Sequence, residues 1–376
     1  MDAALLHTLE RVRAAAADRT LLRITGGGSK DFYAPLAPNA QRLDTQPLQG
    51  VVSYEPSELV VTVRAGTPLA HLEAVLAAQG QCLAFEPPHF AAAGGAVATV
   101  GGMVAAGWSG PARASVGAVR DFVLGAELIN GRGELLRFGG TVMKNVAGYD
   151  VSRLMAGSWG TLGVLTEVSL KVLPCPPSEA TLRLDGLTQA QALQRLHGWG
   201  AQPLPLNAST WLQQEGQGVL YVRLRGAAAA VHTACRSMGG TVLPVAEGAA
   251  FWAACREQTL PWFAQRTAVQ ALWRLSLPQT AHALALPAGM QTLVEWHGAQ
   301  RWVLAQTEHA ALLQQLARAA GGYARVWRPS VQSATCVAAT AAQPAPSPAL
   351  QRIQAQLQQA FDPVGIFGCM PAAAHG

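Results

Sequence analysis

The sequence predicts an α+β protein of two domains followed by a C-terminal helix. Three observations carry this prediction. At 376 residues the chain exceeds what one small core needs. A proline cluster, CPPSE at 175 to 179, interrupts the pattern near the middle. A β-α-β-β-α-β series follows that cluster, the rhythm of a ferredoxin-like domain. The expected boundaries are a first domain over residues 1–175, a second over 180–330, a linker over 331–349, and a helix and tail over 350–376 that pack back on the first domain.

The first segment, MDAALLHTLERVRAAAADRT, reads as an amphipathic helix whose charges distinguish it from a signal peptide, so a cytoplasmic location is expected. LLRIT (21 to 25) is a short strand running directly into GGGSK. ELVVTVRAG reads as a strand and TPLAHLEAVLAAQG as a helix, with Thr67 as N-cap, Pro68 in the first turn and Gly80 closing it. With QCLAF these make a β-α-β unit. An uncharged glycine-rich loop follows. DFVLGAELIN and GELLRFGG then form a hairpin through an Asn130-Gly131 turn. GTLGVLTEVSLKVLP (160 to 174) supplies the closing strand.

Beyond the proline cluster, TLRLDGL, TQAQALQRLHGWG, STWLQQ, GVLYVRLRG, AAAAVHTACRSMGG and TVLPV give the strand-helix-strand-strand-helix-strand series. A looser copy runs from about Phe251 through TLVEWHGAQRWVLA and TEHAALLQQLARAAGG to YARVWRP. Residues 331 to 349 are uncharged and rich in Ala, Pro, Ser and Thr, the composition of a linker. In ALQRIQAQLQQAF, Leu350, Ile353, Leu357 and Phe361 share one helical face, and Asp362-Pro363 stops the helix.

Composition excludes several classes. The net charge is +5, yet lysine occurs only at Lys30, Lys144 and Lys171 and the arginines are scattered singly, which argues against a nucleic-acid stripe. Only 13% of residues are charged, so the surface is weakly polar and suits a subunit covered by partners. Six cysteines lie far apart and make no close pair of the kind that binds zinc or iron-sulfur clusters, so reduced thiols and no metal site are expected. Phe90 to Ala112 carries no charge and is long enough to cross a bilayer. Its glycines at 94, 95, 101, 102, 107 and 110 suit tight backbone turns better than lipid contact.

Three glycine segments carry the chemistry. RITGGGSK (23 to 30) places three glycines after a strand, so unhindered amides can surround a diphosphate and Ser29 can add a hydroxyl. Taken alone, an ordinary flexible turn explains it as well. It is neither GxxxxGK[ST] nor GxGxxG. ATVGGMVAAGWSGP (98 to 111) again concentrates small uncharged residues, suited to a phosphate, a ribose or a ring edge, or to a tight core crossing. AGSWGTLGVLTEVSLKVLP (156 to 174) puts glycines 157, 160 and 163 before a strand. All three in one domain point to a nucleotide cofactor.

These segments, with FEPPHF, GAVRDFVLGAELINGRGELLRFGG and VMKNVAGYDVSRLMAG, resemble the vanillyl-alcohol oxidase and p-cresol methylhydroxylase (PCMH-type) FAD superfamily, and within it the FAD-binding E subunits of glycolate oxidase. The resemblance covers nearly the whole chain. It implies a PCMH-type two-subdomain FAD-binding domain followed by the ferredoxin-like domain. Gly26, Gly27, Gly28 and Ser29 match the family's first diphosphate loop. Thr99, Gly101, Gly102, Ala106 and Ser109 match the second, Asp121 and Val123 a segment beside the cofactor, and Gly160, Thr161, Gly163 and Val164 a strand on the nucleotide. No histidine stands in the first loop, where covalent members tether the flavin, so noncovalent FAD is implied. Lys144, Asn145, Tyr149, Asp150 and Arg153 belong to a stretch shared with 2-hydroxy-acid dehydrogenases, and a structural role beside GSWGTLG is favoured over a catalytic one.

The resemblance further implies oxidation of glycolate to glyoxylate, with electrons passed on inside a complex. Oxidising a 2-hydroxy acid needs a cation for the carboxylate, a base for the hydroxyl proton and a flavin in reach. Related dehydrogenases carry H-x-G-D-G-N-x-H, and this chain has no copy. Its nearest candidates are His297 in Glu295-Trp296-His297 and His89 after Glu86-Pro87-Pro88, and no catalytic residue is assigned. The implied partners are a sister FAD subunit carrying the metal-assisted substrate site and an iron-sulfur subunit, with any membrane attachment peripheral, through them. A stand-alone 2-hydroxy-acid dehydrogenase and a non-catalytic scaffold are the alternatives. The family's FDPxGIxNPGR ending stands here as FDPVGIFGCMP, which weakens the carry-over of any cofactor contact to the tail.

Overall fold

The computed structural model describes residues 2–33, 39–90, 96–141, 149–332 and 347–368. The chain folds as two compact units. One comprises residues 1–109, 118–175 and 345–376, the other 110–117 and 176–344.

The first unit opens with helix α1 (Ala3–Asp18), started by the Asp2 carboxylate on the Ala4 amide and ended by Arg19 in the left-handed region. Leu9, Val12 and Ala15 are its buried stripe, packed with Leu22, Leu43, Ile129 and Val164. Strand β1 (Leu22–Thr25) lies parallel to β2 (Gln41–Asp44). Then come β3 (Val51–Glu55), β4 (Val60–Arg64), helix α2 (Leu69–Ala77), β5 (Gln81–Cys82) and helix α3 (Val100–Ala106). Strands β6 (Val123–Ile129), β7 (Leu135–Gly139), β8 (Val164–Lys171) and β9 (Leu173–Pro174) complete the unit. The main sheet is antiparallel, ordered β3-β4-β8-β6-β7. Strand β6, whose sequence VLGAELI is nearly continuous in apolar and small residues, is buried at every position.

Four local expectations change. Strand β5 does not return beside β4 as a β-α-β unit would require; it pairs antiparallel with β9 in a separate two-stranded ribbon. Thr67 does not cap α2, whose N-cap is Pro68; its hydroxyl instead accepts the Gly50 amide at 2.9 Å. The glycine-rich stretch after residue 98 is a short helix rather than a loop, capped by the Thr99 hydroxyl on the Gly102 amide and closed by Gly107 at φ 66°. The β6–β7 hairpin forms as expected, but its turn spans Asn130 to Glu134, with the Asn130 Oδ1 accepting the amides of Arg132 and Glu134 and Gly133 taking the positive φ of 71°.

The second unit is one eight-stranded antiparallel sheet with helices on it. Strand β10 (Ser178–Leu184), helix α4 (Gln189–Gly200), β11 (Leu206–Gln214), β12 (Gln217–Gly226), helix α5 (Ala228–Met238) and β13 (Thr241–Val242) form the first half. Helix α6 (Val245–Glu257) follows. Strands β14 (Gln270–Ser276), β15 (Gln291–Glu295) and β16 (Gln300–Gln306), helix α7 (Ala310–Ala319) and β17 (Tyr323–Arg328) form the second half. The strand order is β13-β10-β12-β11-β15-β16-β14-β17. Each half therefore has the ferredoxin-like arrangement, with its first and third strands adjacent at the centre, and the halves join through β11 and β15. The sequence expectation of two such series, the second looser, is borne out: β14 and β15 are joined without a helix.

Helix α4 starts with a reciprocal Thr188–Gln191 capping box. It lays Ala192, Leu193 and Leu196, and α5 lays Val231, Ala234 and Met238, on Leu182, Leu220, Val222 and Leu224 of the sheet. Leu313 and Ala317 of α7 cover Trp273, Leu275 and Val303 in the other half. Each such leucine contributes about 1.5–3 kcal/mol by leaving water.

The C-terminal helix (Pro348–Phe361) groups with the first unit and ends at Asp362, where the Asp-Pro pair stops it as expected. Its apolar face is only partly covered: Leu357 and Phe361 are half-buried and Ile353 is 53% exposed. Most of the 331–349 segment lies outside the described residues.

Candidate functional site

Strand β1 delivers the chain to Gly26, and β2 fixes where it arrives. Both the amide and the hydroxyl of Thr45, just past β2, donate to the carbonyl of Thr25. The Gln46 side-chain amide holds the carbonyl of Gly26 at 3.1 Å. The loop is then pressed against the segment entering α3. A Cβ on Gly26 would stand 2.3 Å from Thr99 Oγ1, and one on Gly27 would stand 1.5 Å from the Val97 carbonyl oxygen. Gly28 sits at φ 74°, a conformation that L side chains rarely adopt. A Cβ on Gly101 would meet that of Ala65 at 2.7 Å, so α3 sits directly on the end of β4. These glycines are required by close backbone approach, which a flexible surface turn does not need.

The loop borders a cavity of about 260 Å³ in the first unit. Gly26, Gly27, Gly28, Ser29, Thr99, Gly101, Gly102, Ala106, Gly160, Thr161 and Gly163 all line it, so the three glycine segments converge on one space. Among the described residues the amides of Gly27, Gly28 and Ser29 have no acceptor. Such amides, together with a buried Ser29 hydroxyl and no side chain in the way, are suited to an oxyanion-rich group. Leu21, Leu22, Ala40 and Phe367 add apolar side chains to the lining.

Four expected residues line no part of this cavity. The Ser109 hydroxyl accepts the Val119 amide at 3.1 Å. The Asp121 carboxylate accepts the Ala118 amide at 2.8 Å and closes the turn of residues 119–122. Val123 and Val164 are wholly buried at the start of β6 and β8.

Sequence reasoning missed Lys30, Trp159, Phe367 and Gly368, all of which line the cavity. Lys30 was legible as the residue closing GGGSK. The tail reaches the cavity because the carbonyl of Ile366 accepts the Leu22 amide at 2.7 Å. Asp362, 2% exposed, holds that tail in shape by accepting the amides of Gly365, Ile366 and Phe367. The FDPVGI part of the family ending is thus the part that places a residue at the cavity, while residues 369 and beyond lie outside the described chain.

An aromatic cluster adjoins the loop. Trp159, at φ 54°, stacks on Tyr33 with ring centres 5.1 Å apart, and Trp108 meets Tyr33, Phe32 and Phe90 at 5.0, 5.9 and 5.8 Å. Of the KNVAGYD stretch, Lys144 and Asn145 lie outside the described residues. Tyr149 is 95% exposed, and Asp150 caps the helical turn 151–154 by accepting the Arg153 amide at 3.1 Å. His89 pairs with Glu73 at 2.9 Å.

His297 lies in the second unit and serves as a clip. The Ser209 hydroxyl accepts the His297 amide and stands 2.9 Å from Nδ1, and Nε2 is 3.0 Å from the Ser115 hydroxyl. Burial pushes the imidazole pKa down to about 4, so the ring is neutral. Next to it the Trp296 indole donates to the Gly110 carbonyl, and the guanidiniums of Arg113 and Arg274 stand 4.5 and 5.1 Å from its ring. Residues 110–117 are thereby fastened to the second unit.

The comparisons agree with this geometry. An FAD binding domain model matches residues 7–139. Glycolate oxidase subunit GlcE of Escherichia coli K12 is 43% identical over 96% of this chain and 94% of its own length. Glycolate oxidase subunit GlcD of Bacillus subtilis is 34% identical over 35% of this chain and 27% of its length, and D-lactate dehydrogenase of Anaerostipes hadrus is 36% identical over 35% and 26%. Solved structures of alkyldihydroxyacetonephosphate synthase share the fold, with TM-scores of 0.64 and 0.65 at 16% identity, over 97% of this chain and 74% and 75% of theirs. No helix among the described residues is long and apolar enough to cross a membrane. A glycine cradle with unfilled amides, inside a matched FAD domain and along a relative aligned nearly end to end, identifies the chain as an FAD-binding oxidoreductase of the glycolate oxidase GlcE subunit family.

Proposed function

We propose that this chain is the FAD-carrying redox subunit of a glycolate oxidase complex, in which glycolate is oxidised to glyoxylate and electrons pass to partner subunits. The observation that carries the reading is the convergence of three glycine segments on one cavity whose loop amides have no acceptor among the described residues. In this reading residues 1–175 are the FAD-binding domain and residues 180–330 the second, cap-type domain. Bound FAD supplies the two-electron acceptor for a CH–OH group. Gly26 to Ser29 hold its diphosphate without a covalent tether, α3 and residues 160–163 flank the nucleotide, and Phe367 contributes an apolar wall. Ser109, Asp121, Val123 and Val164 support these groups from behind.

The partners in this reading are a sister FAD subunit and an iron-sulfur subunit, and any attachment to the inner membrane is peripheral, through them. The names of the relatives support the first of these, since GlcD is itself a glycolate oxidase subunit. The test is to purify the chain alone and with its partners. The isolated chain is expected to be yellow and not bleached by glycolate, whereas the complex is bleached and reduces an added dye. Bleaching of the isolated chain by glycolate would favour a stand-alone dehydrogenase, and a colourless chain would favour a scaffold.

A further inference from the structure

We infer that the Lys30 ammonium is a positioning charge for the cofactor's diphosphate, supplementing the backbone amides of the glycine loop. The inference rests on the reading of the cavity as an FAD site and deepens it.

Lys30 directly follows the cradle and lines the cavity, yet it is only 8% exposed. Its Nζ stands 3.3 Å from the Ser29 hydroxyl, itself a lining group, and 5.9 Å from the centre of the Phe90 ring. The charge stands with the Ser29 hydroxyl at the end of the loop, next in sequence to Gly27 and Gly28, whose amides have no acceptor among the described residues. Among the described residues two other charged side chains line the cavity, Arg23 and Asp31. These two form an ion pair with each other, so together they add no net charge. Lys30 is the third charged side chain among the described lining residues. A diphosphate carries two negative charges, and amides alone contribute only partial ones. An ammonium within hydrogen-bonding reach of the same oxygens adds a charge-assisted contact.

The test uses the full-length, flavin-free chain. FAD is titrated by flavin fluorescence and ADP by its competition with FAD, for the parent and for Lys30→Met, with Lys30→Gln as a second variant should the first not fold. The inference predicts that both FAD and ADP bind roughly tenfold to hundredfold more weakly to the variants, by the same factor, because ADP shares the diphosphate and lacks the flavin ring. The flavin reduction potential should stay unchanged. Loss confined to FAD, with ADP unaffected, would place the ammonium at the flavin ring and overturn the inference, as would unaltered binding of both ligands. Failure of the parent chain to bind FAD would instead overturn the reading of the site itself.

Discussion

The Asp362 carboxylate accepts the Phe367 amide at 2.8 Å, and Phe367 lines the glycine cavity. The same carboxylate accepts the amides of Gly365 and Ile366, so one buried side chain shapes the turn that sends the tail to the site. Asp362→Ala should therefore weaken FAD binding although residue 362 is not in the cavity wall. It should also cost about 2–4 kcal/mol of stability, since several amides lose a charged acceptor. Thermal melts with and without FAD check this. A melt unchanged from the parent would show that the tail is held by other means.

Gly131 lies under the same carboxylate. A Cβ there would stand 2.3 Å from Asp362 Oδ1 and 2.8 Å from its Cα, and the Gly131 amide donates to the Phe361 carbonyl. Gly131→Ala should destabilise the chain by about 1–3 kcal/mol through overpacking. Denaturant titration of parent and variant measures it, and Gly140→Ala, where a Cβ meets nothing within 4 Å, serves as the comparison.

The half-buried imidazole of His297 makes stability depend on pH. Its pKa is lowered to about 4 in the folded chain, against an ordinary value near 6.5 when unfolded. Between these values the unfolded chain binds a proton that the folded one refuses. Stability is thus full above about pH 6.5, falls as the pH drops toward 4 and levels off below, by at most on the order of 3 kcal/mol. His297→Gln should flatten this part of the curve of melting temperature against pH. A variant with the parent's slope over that range would contradict the assignment.

The parts of the fold legible in the sequence were those set by local pattern. The GGGSK loop after a strand, the CPPSE boundary and the two ferredoxin-like series depend on residues near one another in the chain. The misreadings each have a distant cause. Strand β5 finds β9 some ninety residues on, a pairing that no property of QCLAF announces. Helix α3 read as a loop because Gly101 and Gly102, poor helix formers, are needed for contact with Ala65 and Thr99. Asn130-Gly131 looked like a two-residue turn, yet Gly131 answers to Asp362 across the unit while Gly133 takes the left-handed conformation. Ser115 and His297 stand 182 positions apart, and neither flanking sequence shows that they meet.

The central claim is that the glycine cavity is an FAD site. Its most direct test is titration of the flavin-free, full-length chain with FAD, beside Gly27→Ala, in which the new Cβ would stand 1.5 Å from the Val97 carbonyl oxygen. The expected result is saturation at one FAD per parent chain and loss of binding in the variant. No binding to the parent, or undiminished binding to Gly27→Ala, would contradict it.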